Sequence, residues 1–240
     1  MTFRLGYSII IEIRSDLLMN LFYLDEDIDK NAEYHMDTHV VKMPTEAAQM
    51  LTTAIWVDKH LGYVPRALNV EERALLNSLK AKEPSIEERT FTRFLPTHVN
   101  HPCSIWVRSS LDNYEWTFNY VDALNSEWAF RWRHNHNHGS YDATIALPEP
   151  ISLKRIGLTP YVQAVPDEYK DENPIAAYRL YYMCEKAGWA VWKRRFKPPW
   201  WDEYFADYGG RDPHEAYLNT VKAPTNRNRL HSRDYDYVQC

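Results

Sequence analysis

The sequence predicts a mainly α-helical fold: a single helical domain with a short N-terminal strand and irregular connections. Apolar residues recur at helical spacing in several long segments, and 45% of the 240 residues are hydrophobic, which is enough to fill a core. Only seven glycines are present, so tight turns are few. We expect an N-terminal extension over residues 1–18, a helical domain over 19–201 and a polar C-terminal tail over 202–240.

The N-terminal stretch contains one short strand pattern. Met19 is followed by NLFYL, whose apolar and aromatic residues are typical of a strand. The apolar run SIII lies before it and is followed by Glu12 and Arg14. It is therefore too short and too charged for a membrane span, and no cleavable signal peptide is expected.

Two helices are predicted next. Asp27 or Asp29 is expected to cap a helix through AEYHMDTHVVKM that continues, after Pro44, through TEAAQMLTTAIWV. Pro44 should kink or restart this helix, because its ring lacks the amide donor and crowds the preceding turn. The segment NVEERALLNSLKAK predicts a second, solvent-exposed helix.

The remaining elements alternate between loops and long helices. Residues 84–100 predict a polar loop, and NHPCSIWVRSSLDNYEWTFNYVDALNSEWAFRWR predicts the longest helix. Residues 134–173 contain several prolines and little periodicity, which predicts an irregular connection with short strands at most. Asn173 and Pro174 form a cap and first-turn pair for a closing helix, IAAYRLYYMCEKAGWAVWKRRF.

Composition excludes several classes of site. Cys103, Cys184 and Cys240 form no CxxC pair, so neither a disulfide framework nor a thiolate zinc site is expected, and a cytoplasmic location is predicted. No glycine-rich phosphate loop occurs. The net charge of −5 means that any nucleic-acid binding must come from a local basic patch.

The first long helix carries a stripe of ionisable residues. At about 100° per residue, His35, His39, Lys42 and Glu46 fall within about 60° of one another, beside an apolar face. A solvated face is one interpretation. Paired histidines are, however, a poor choice for an exposed helix, so the stripe predicts one wall of a functional site.

A second polar column is predicted on the longest helix. With Arg108 assigned to the solvent-facing side of this helix, a column of mostly polar residues lies between that side and the apolar side. This column consists of Ser109, Asn113, Tyr120, Glu127 and Arg131. It predicts a polar groove wall, and the alternative is a structural ion pair between Glu127 and Arg131.

Blocks of the sequence resemble a family of small proteins of tailed bacteriophages whose activity is not established. The blocks are, in order, MNLFYLD, YHMDTHVVKM, NHPCSIWVRSSLDNYEW, EWAFRW, VPDEYK and AYRLYYMCEKAGWAVWKR. The resemblance covers about residues 19–201 and implies a protein that acts in the cytoplasm of an infected host. Pro44, Thr38 and Arg133 depart from the aliphatic residue, lysine and glycine of the family pattern.

A further set of positions is similar to the phage pyrimidine-dimer DNA glycosylases of the endonuclease V type. These positions are His39, Glu46, His101, Trp106, Glu127 and Arg131. The similarity implies an all-helical enzyme that uses a helix-borne glutamate beside the sugar of a damaged nucleotide, and Glu46 would be that carboxylate. Those enzymes use an N-terminal amine as nucleophile, so here Lys42 would have to supply the amine.

The sequence therefore predicts an enzyme that acts on nucleobases or nucleotides in DNA, by base excision or base modification, without a cofactor or bound metal. The predicted partner is DNA or a nucleotide, and no association with a membrane is expected. The predicted catalytic residues are His35, His39, Lys42, Glu46, His101 and Glu127. The predicted substrate-binding residues are Asn113, Arg131, His136, Arg179 and Lys186.

Two alternatives remain at the level of sequence. The first is a metal-dependent hydrolase in which His35 and His39 bind a divalent ion together with His101, His136 or Glu46. The second is a non-catalytic phage protein that binds nucleic acid or a host protein through a basic, aromatic segment. Its residues are Lys186, Trp189, Trp192, Lys193, Arg194, Arg195, Phe196, Lys197 and Trp200.

Overall fold

The computed structural model describes residues 19–186 and 189–201. In this part of the chain there are seven α-helices, two short 3₁₀-helices and no strand, so the prediction of a mainly α fold is confirmed. The α-helices are α1 Ile28–Tyr34, α2 Asp37–Leu61, α3 Val70–Lys80, α4 Pro102–Val107, α5 Leu111–Trp132, α6 Gly139–Ile145 and α7 Pro174–Lys186. The 3₁₀-helices are Ile86–Glu88 and Asp167–Tyr169.

The chain forms two compact units. The first contains the described residues 19–22 and 39–164, and the second contains 23–38, 165–186 and 189–201. The predicted extension and tail lie outside the described residues. Among the helices that the structure describes, none has the length and apolar character needed to cross a bilayer.

The predicted N-terminal strand is not formed, and the backbone of residues 19–25 is irregular. Amide groups of this stretch bond to side chains instead of to a neighbouring strand. In the first unit the N–H of Asn20 donates to the Glu46 carboxylate at 2.9 Å. In the second unit the N–H of Leu24 donates to Oδ1 of Asn31 at 2.7 Å.

The predicted continuous helix from Asp27 is interrupted. Asp27 caps α1 as expected, but His35 has extended backbone angles of φ −65° and ψ 133°. The N–H of Met36 donates to the hydroxyl of Tyr182 at 3.0 Å, and the next N–H, of Asp37, donates to the Val191 carbonyl at 2.8 Å. These long-range partners replace helical hydrogen bonds, so the helix ends and a new one begins.

Helix α2 continues through Pro44, so the predicted restart does not occur. Contacts from α6 support this turn. The hydroxyl groups of Thr45 and Ser140 lie 2.8 Å apart, and the His138 ring hydrogen-bonds the backbone of Val41. Because proline removes one helical amide donor, these contacts stabilise the part of α2 that is weakest in its own hydrogen bonds.

Helix α6 lies within a segment that was predicted to be irregular throughout. His138 is its N-cap, and Nδ1 of its ring accepts the N–H of Ser140 at 3.2 Å. Helix α6 packs against α5. Histidine is not among the preferred N-cap residues, so this helix has no strong start signal in the sequence.

The predicted longest helix is two helices. Helix α4 ends at Val107, and α5 begins after Ser110, whose hydroxyl accepts the N–H of Asn113 at 3.0 Å. The serine cap satisfies an amide that lacks a helical partner. The break also invalidates a helical wheel that treats both helices as one.

Arg108 lies at this break and is fully buried, which corrects its predicted solvent-facing position. Its guanidinium donates to the carbonyl oxygens of Val64 at 2.9 Å, Val99 at 2.7 Å and Arg66 at 2.5 Å. Burial lowers the Arg108 pKa to about 10, which leaves the group charged at neutral pH. One side chain thus joins two loops to the end of α4.

A hydrophobic core of the first unit includes Val64, whose carbonyl accepts a hydrogen bond from Arg108. It joins the C-terminal half of α2 to α3 and to the loop that follows α3. Its buried members are Trp56, Val57, Val64, Leu68 and Leu76. The indole N–H of Trp56 donates to the Thr92 hydroxyl at 2.7 Å, so the largest apolar residue also satisfies its polar group.

In the second unit, α7 begins as predicted and ends early. The side chain of Asn173 accepts the N–H of Ile175 at 2.9 Å, and Pro174 is the first helical residue. The helix ends at Lys186, whereas the prediction continued to residue 196. Beyond it the Trp192 indole donates to the Tyr34 carbonyl at 3.0 Å, a contact made from non-helical backbone.

Replacement of Arg108 by methionine should lower the free energy of unfolding by about 3–5 kcal/mol, because buried carbonyl groups lose a charged donor. Urea unfolding measures this change. Arg89→Met is the matched control, since Arg89 is only partly buried and also donates to a backbone carbonyl, that of Arg93 at 2.8 Å. The control should change stability by about 0.5 kcal/mol or less. Equal effects for the two variants would contradict a structural role for Arg108.

Candidate functional site

The site in the first unit is centred on the Glu46 carboxylate in α2. Glu46 is 6% exposed, and its Oε2 accepts the N–H of Asn20 at 2.9 Å. Its Oε1 lies 2.7 Å from Nζ of Lys42, whose side chain is 56% exposed. The carboxylate therefore lies just below the surface, between an interior amide and a solvent-accessible amine.

Burial raises the pKa of the Glu46 carboxyl above its ordinary value. The hydrogen bonds from Lys42 and Asn20 act in the opposite direction, as does the charge of His98. Burial is the largest effect, since the charged carboxylate loses hydration. Glu46 therefore takes up a proton more readily than a glutamate in water, which suits acid–base chemistry.

His39 lies on the same face of α2 as Lys42 and Glu46, at helical spacing i, i+3 and i+7. It is 7% exposed, and its ring stacks on that of Phe22 with centroids 4.6 Å apart. The irregular segment that supplies the Asn20 amide thus also supports the His39 ring. Three of the four residues in the predicted stripe remain on one helical face.

The start of α4 contacts the same N-terminal segment. His101 is its N-cap, and Nδ1 of the ring accepts the N–H of Cys103 at 3.2 Å. The Cys103 thiol lies 3.9 Å from Oδ1 of Asn20. Burial, together with the charge of Glu46, raises the Cys103 pKa to about 12, so this thiol is not a nucleophile at neutral pH.

His98 belongs to this site and was not predicted. It is exposed, has a positive φ of 47°, and its Nδ1 lies 2.9 Å from the Thr97 hydroxyl. Its charge lowers the Glu46 pKa. The sequence signal was the pair of histidines in THVNHP, of which only His101 was selected.

Asn20 and Phe22 were also missed as site residues. Both lie in the segment that was predicted to be a strand, and the sequence indicated no contact between that segment and α2. Their contacts with Glu46 and His39 depend on a backbone that is neither helix nor strand. No periodic sequence pattern identifies such a segment.

The predicted groove wall on α5 is not present, because its key members are buried. Arg131 is fully buried and its Nε lies 2.5 Å from Oε1 of Glu127, so the pair is internal. Asn113 is also fully buried, with its amide N–H groups donating to Trp106 at 2.8 Å and Thr159 at 2.7 Å. These side chains stabilise the interior and present no open surface to a substrate.

His35 does not extend the stripe that contains His39. It terminates α1 in the second unit, where it is fully buried and its Nδ1–H donates to the Asn31 carbonyl at 2.6 Å. The predicted histidine pair assumed one continuous helix. Since the chain is extended at His35, the helical spacing that would place the two rings side by side does not apply.

The other predicted binding residues of the second unit have local partners. Arg179 donates to the Leu24 carbonyl at 2.8 Å and to the Asp25 carboxylate at 3.0 Å. Lys186 places its ammonium 5.2 Å from the centre of the Tyr181 ring. We therefore do not include either residue in the site around Glu46.

The histidine tract at 134–138 surrounds one aromatic ring. His134 stacks on Trp128 with centroids 3.8 Å apart, and the rings of His136 and His138 each lie 5.3 Å from it. His136, a predicted substrate-binding residue, is exposed. Over residues 19–186 and 189–201, no group of three or more His, Cys, Asp or Glu side chains is placed to hold a metal ion. The hydrolase alternative therefore has no supporting ligand set in that part of the chain.

Comparisons with known proteins add no relative. The chain matches no protein-family model, no curated protein and no solved structure. The interpretation of the site consequently depends on its geometry.

Replacement of Glu46 by glutamine should stabilise the protein at neutral pH. Because the folded-state pKa is raised, the stability that Glu46 contributes is present below about pH 4.5, its ordinary pKa, and is lost as the pH rises through the folded value. The neutral amide removes that loss. Thermal unfolding over a pH series should show a higher Tm for the variant near pH 7 and convergence with the parent in acid.

The matched control is Glu88→Gln, which changes an exposed carboxylate and should leave the pH dependence of Tm unaltered. A Glu46→Gln variant that is less stable than the parent at neutral pH would show that the carboxylate is net stabilised, contrary to the raised pKa.

Proposed function

We propose that the chain is an enzyme that acts on nucleobases or nucleotides in DNA by base excision, with Lys42 as the nucleophilic amine and Glu46 as the catalytic carboxylate. The observation that carries the proposal is the contact at 2.7 Å between the accessible Lys42 ammonium and the buried Glu46 carboxylate. The proposal includes the setting implied by the bacteriophage resemblance, the cytoplasm of an infected host.

The pair supports amine catalysis because the carboxylate lies where it can accept a proton from the amine. Lys42 attacks only as a neutral amine, and the adjacent carboxylate is the base that removes its proton. The raised pKa of Glu46 favours that transfer. The solvent exposure of Lys42 leaves its Nζ accessible to a substrate, whereas Glu46 remains below the surface.

The proposed reaction begins when Glu46 accepts a proton from the Lys42 ammonium. The neutral Nζ then attacks C1′ of the target nucleotide, and the bond from C1′ to the base breaks, with its electron pair leaving on the base. The base takes a proton from an acid at the site. A proton then passes from Nζ to O4′ as the bond from C1′ to O4′ breaks, which opens the sugar ring and leaves a protonated imine between Lys42 and C1′.

Two histidines are suited to protonate the departing base. His98 is exposed and close enough to influence the Glu46 carboxylate. His39 is held by the Phe22 ring on the same helical face as Lys42. A histidine can donate or accept a proton near neutral pH, so either ring matches the role.

DNA as the substrate rests on the similarity to the pyrimidine-dimer glycosylases, and the carboxylate–amine pair supports it. Base excision through an imine requires a neutral amine beside C1′ and a base that takes up its proton. Glu46 is that base in this proposal. The buried pair Glu127 and Arg131 has no part in this proposal.

Borohydride trapping tests the proposal. The protein is incubated with oligonucleotides that contain an abasic site or a thymine dimer, and the parent should form a reduced covalent adduct. Lys42→Arg should abolish the adduct, because a guanidinium does not form the imine. Glu46→Gln should slow its formation by about 10²- to 10⁴-fold.

Lys82→Arg is the control, since Lys82 is an exposed lysine in the loop after α3 and should leave trapping unchanged. Absence of an adduct with both substrates would overturn base excision through an imine. An adduct that persists in Lys42→Arg would assign the nucleophile to another amine.

A further inference from the structure

The second unit contains a tight turn after α7. The N–H of Arg195 donates to the Trp192 carbonyl at 3.2 Å, which places Lys193 and Arg194 at the centre of the turn. Arg194 has a φ of 62°, in the left-handed region. Glycine or asparagine is the usual residue at this position, and a side chain there costs about 1 kcal/mol.

The turn is fixed to the junction between α1 and α2. The Trp192 side chain is 8% exposed and donates its indole N–H to the Tyr34 carbonyl at 3.0 Å. The N–H of Lys193 donates to Oδ1 of Asp37 at 2.9 Å, and the N–H of Asp37 donates to the Val191 carbonyl at 2.8 Å. The backbone below the turn is therefore well ordered by long-range contacts.

The turn presents an aromatic ring among cationic side chains. Phe196 is 98% exposed, and Lys193, Arg194 and Lys197 are exposed beside it in sequence. An almost fully exposed phenylalanine is unusual, because about 25 cal/mol per Å² of apolar surface is gained on burial. A ring and cations at consecutive positions on a fixed turn indicate a binding surface. We define the basic turn as residues 192–197.

Acidic groups near the basic turn are partly neutralised. Glu33 lies 3.1 Å from the guanidinium of Arg195, and the Asp37 carboxylate accepts the backbone N–H of Lys193. Each of these two carboxylates therefore has a partner within the turn. The remaining exposed side chains of the basic turn are cationic or aromatic, which is complementary to an anionic partner with flat rings.

We propose that the basic turn binds single-stranded nucleic acid. A base stacks on the Phe196 ring, and phosphates contact Lys193, Arg194 and Lys197. An unpaired strand is favoured over a duplex because its bases offer their faces, whereas stacked pairs in a duplex do not. The proposal does not rest on the function proposed for Glu46, since it concerns other residues and a binding equilibrium.

The single strand is also favoured over a lipid surface. A membrane-binding segment presents a continuous apolar face with cations at its edge. In the basic turn, cationic residues precede and follow Phe196 in the sequence, at Arg194 and Lys197. Isolated rings between phosphate-binding side chains are typical of strand-binding proteins.

Fluorescence anisotropy with a labelled thymidine oligonucleotide of about 20 nucleotides tests the proposal. The full chain should bind at low salt, and three phosphate contacts predict a slope of log K against log salt of about −2. Phe196→Ala should weaken binding by about 5- to 150-fold through lost stacking. Phe196→Leu should weaken it similarly, because leucine keeps the apolar surface but lacks a flat ring.

Arg194→Gly is the sharpest variant. Glycine suits the positive φ, so Tm should stay the same or rise, while the salt slope should become smaller by about 0.7 as one phosphate contact is lost. Lys82→Ala and Ile151→Ala are controls, since Lys82 is exposed and Ile151 is 82% exposed, both in the first unit. Neither should change affinity.

Several outcomes would overturn the proposal. They are no binding of the oligonucleotide at low salt, unchanged affinity in both Phe196→Ala and Arg194→Gly, or stronger binding to duplex than to single strand. Binding of phosphatidylserine vesicles that Phe196→Leu retains, without oligonucleotide binding, would assign the surface to a membrane instead. The oligonucleotide contains neither an abasic site nor a thymine dimer, which separates this result from the catalytic proposal.

Discussion

The first unit is organised around the requirement that a buried carboxylate be satisfied. Glu46 loses most of its hydration, and its carboxylate instead accepts a hydrogen bond from the Asn20 amide and pairs with the Lys42 ammonium. The amide holds residues 19–22 against α2, and that segment in turn supplies Phe22 beneath His39. Thus the contact that stabilises the carboxylate also assembles the groups around it. A neutral side chain at this position would avoid the cost of burying a charge but leave the site without its carboxylate.

The two compact units carry different chemistry. In the first, titratable side chains lie on one face of α2, and burial raises the pKa of Glu46. In the second, an anchored turn exposes an aromatic ring and cations that do not need to change protonation. The proposed catalysis and the proposed strand binding would use these different properties, because the former depends on a perturbed pKa and the latter on permanent charge and a flat surface.

Local signals predicted the fold well wherever the structure depends on neighbouring residues. Asp27 and Asn173 were identified as caps, because a cap acts within its own first turn. Breaks caused by distant partners were missed, as at Met36, whose amide bonds to a tyrosine 146 residues away. Arg108 was misplaced for the same reason, since its acceptors lie in other loops. Within the site, the α2 face containing Glu46 was predictable from periodicity, whereas the irregular segment opposite it was not.

The histidine at the start of α6 gives the proline turn of α2 a sensitivity to acid. His138 accepts an amide through Nδ1, which a protonated ring does not do, and burial lowers its pKa below the ordinary 6.5. The stability it contributes is therefore present above that value and declines as the pH falls through the lowered pKa. Acidification would protonate the Glu46 carboxylate and, separately, release the Ser140 amide at the start of α6, the helix that contacts α2 beside Pro44. The carboxylate would lose its charge and its helix would lose support in an acidic compartment, by two unrelated protonations.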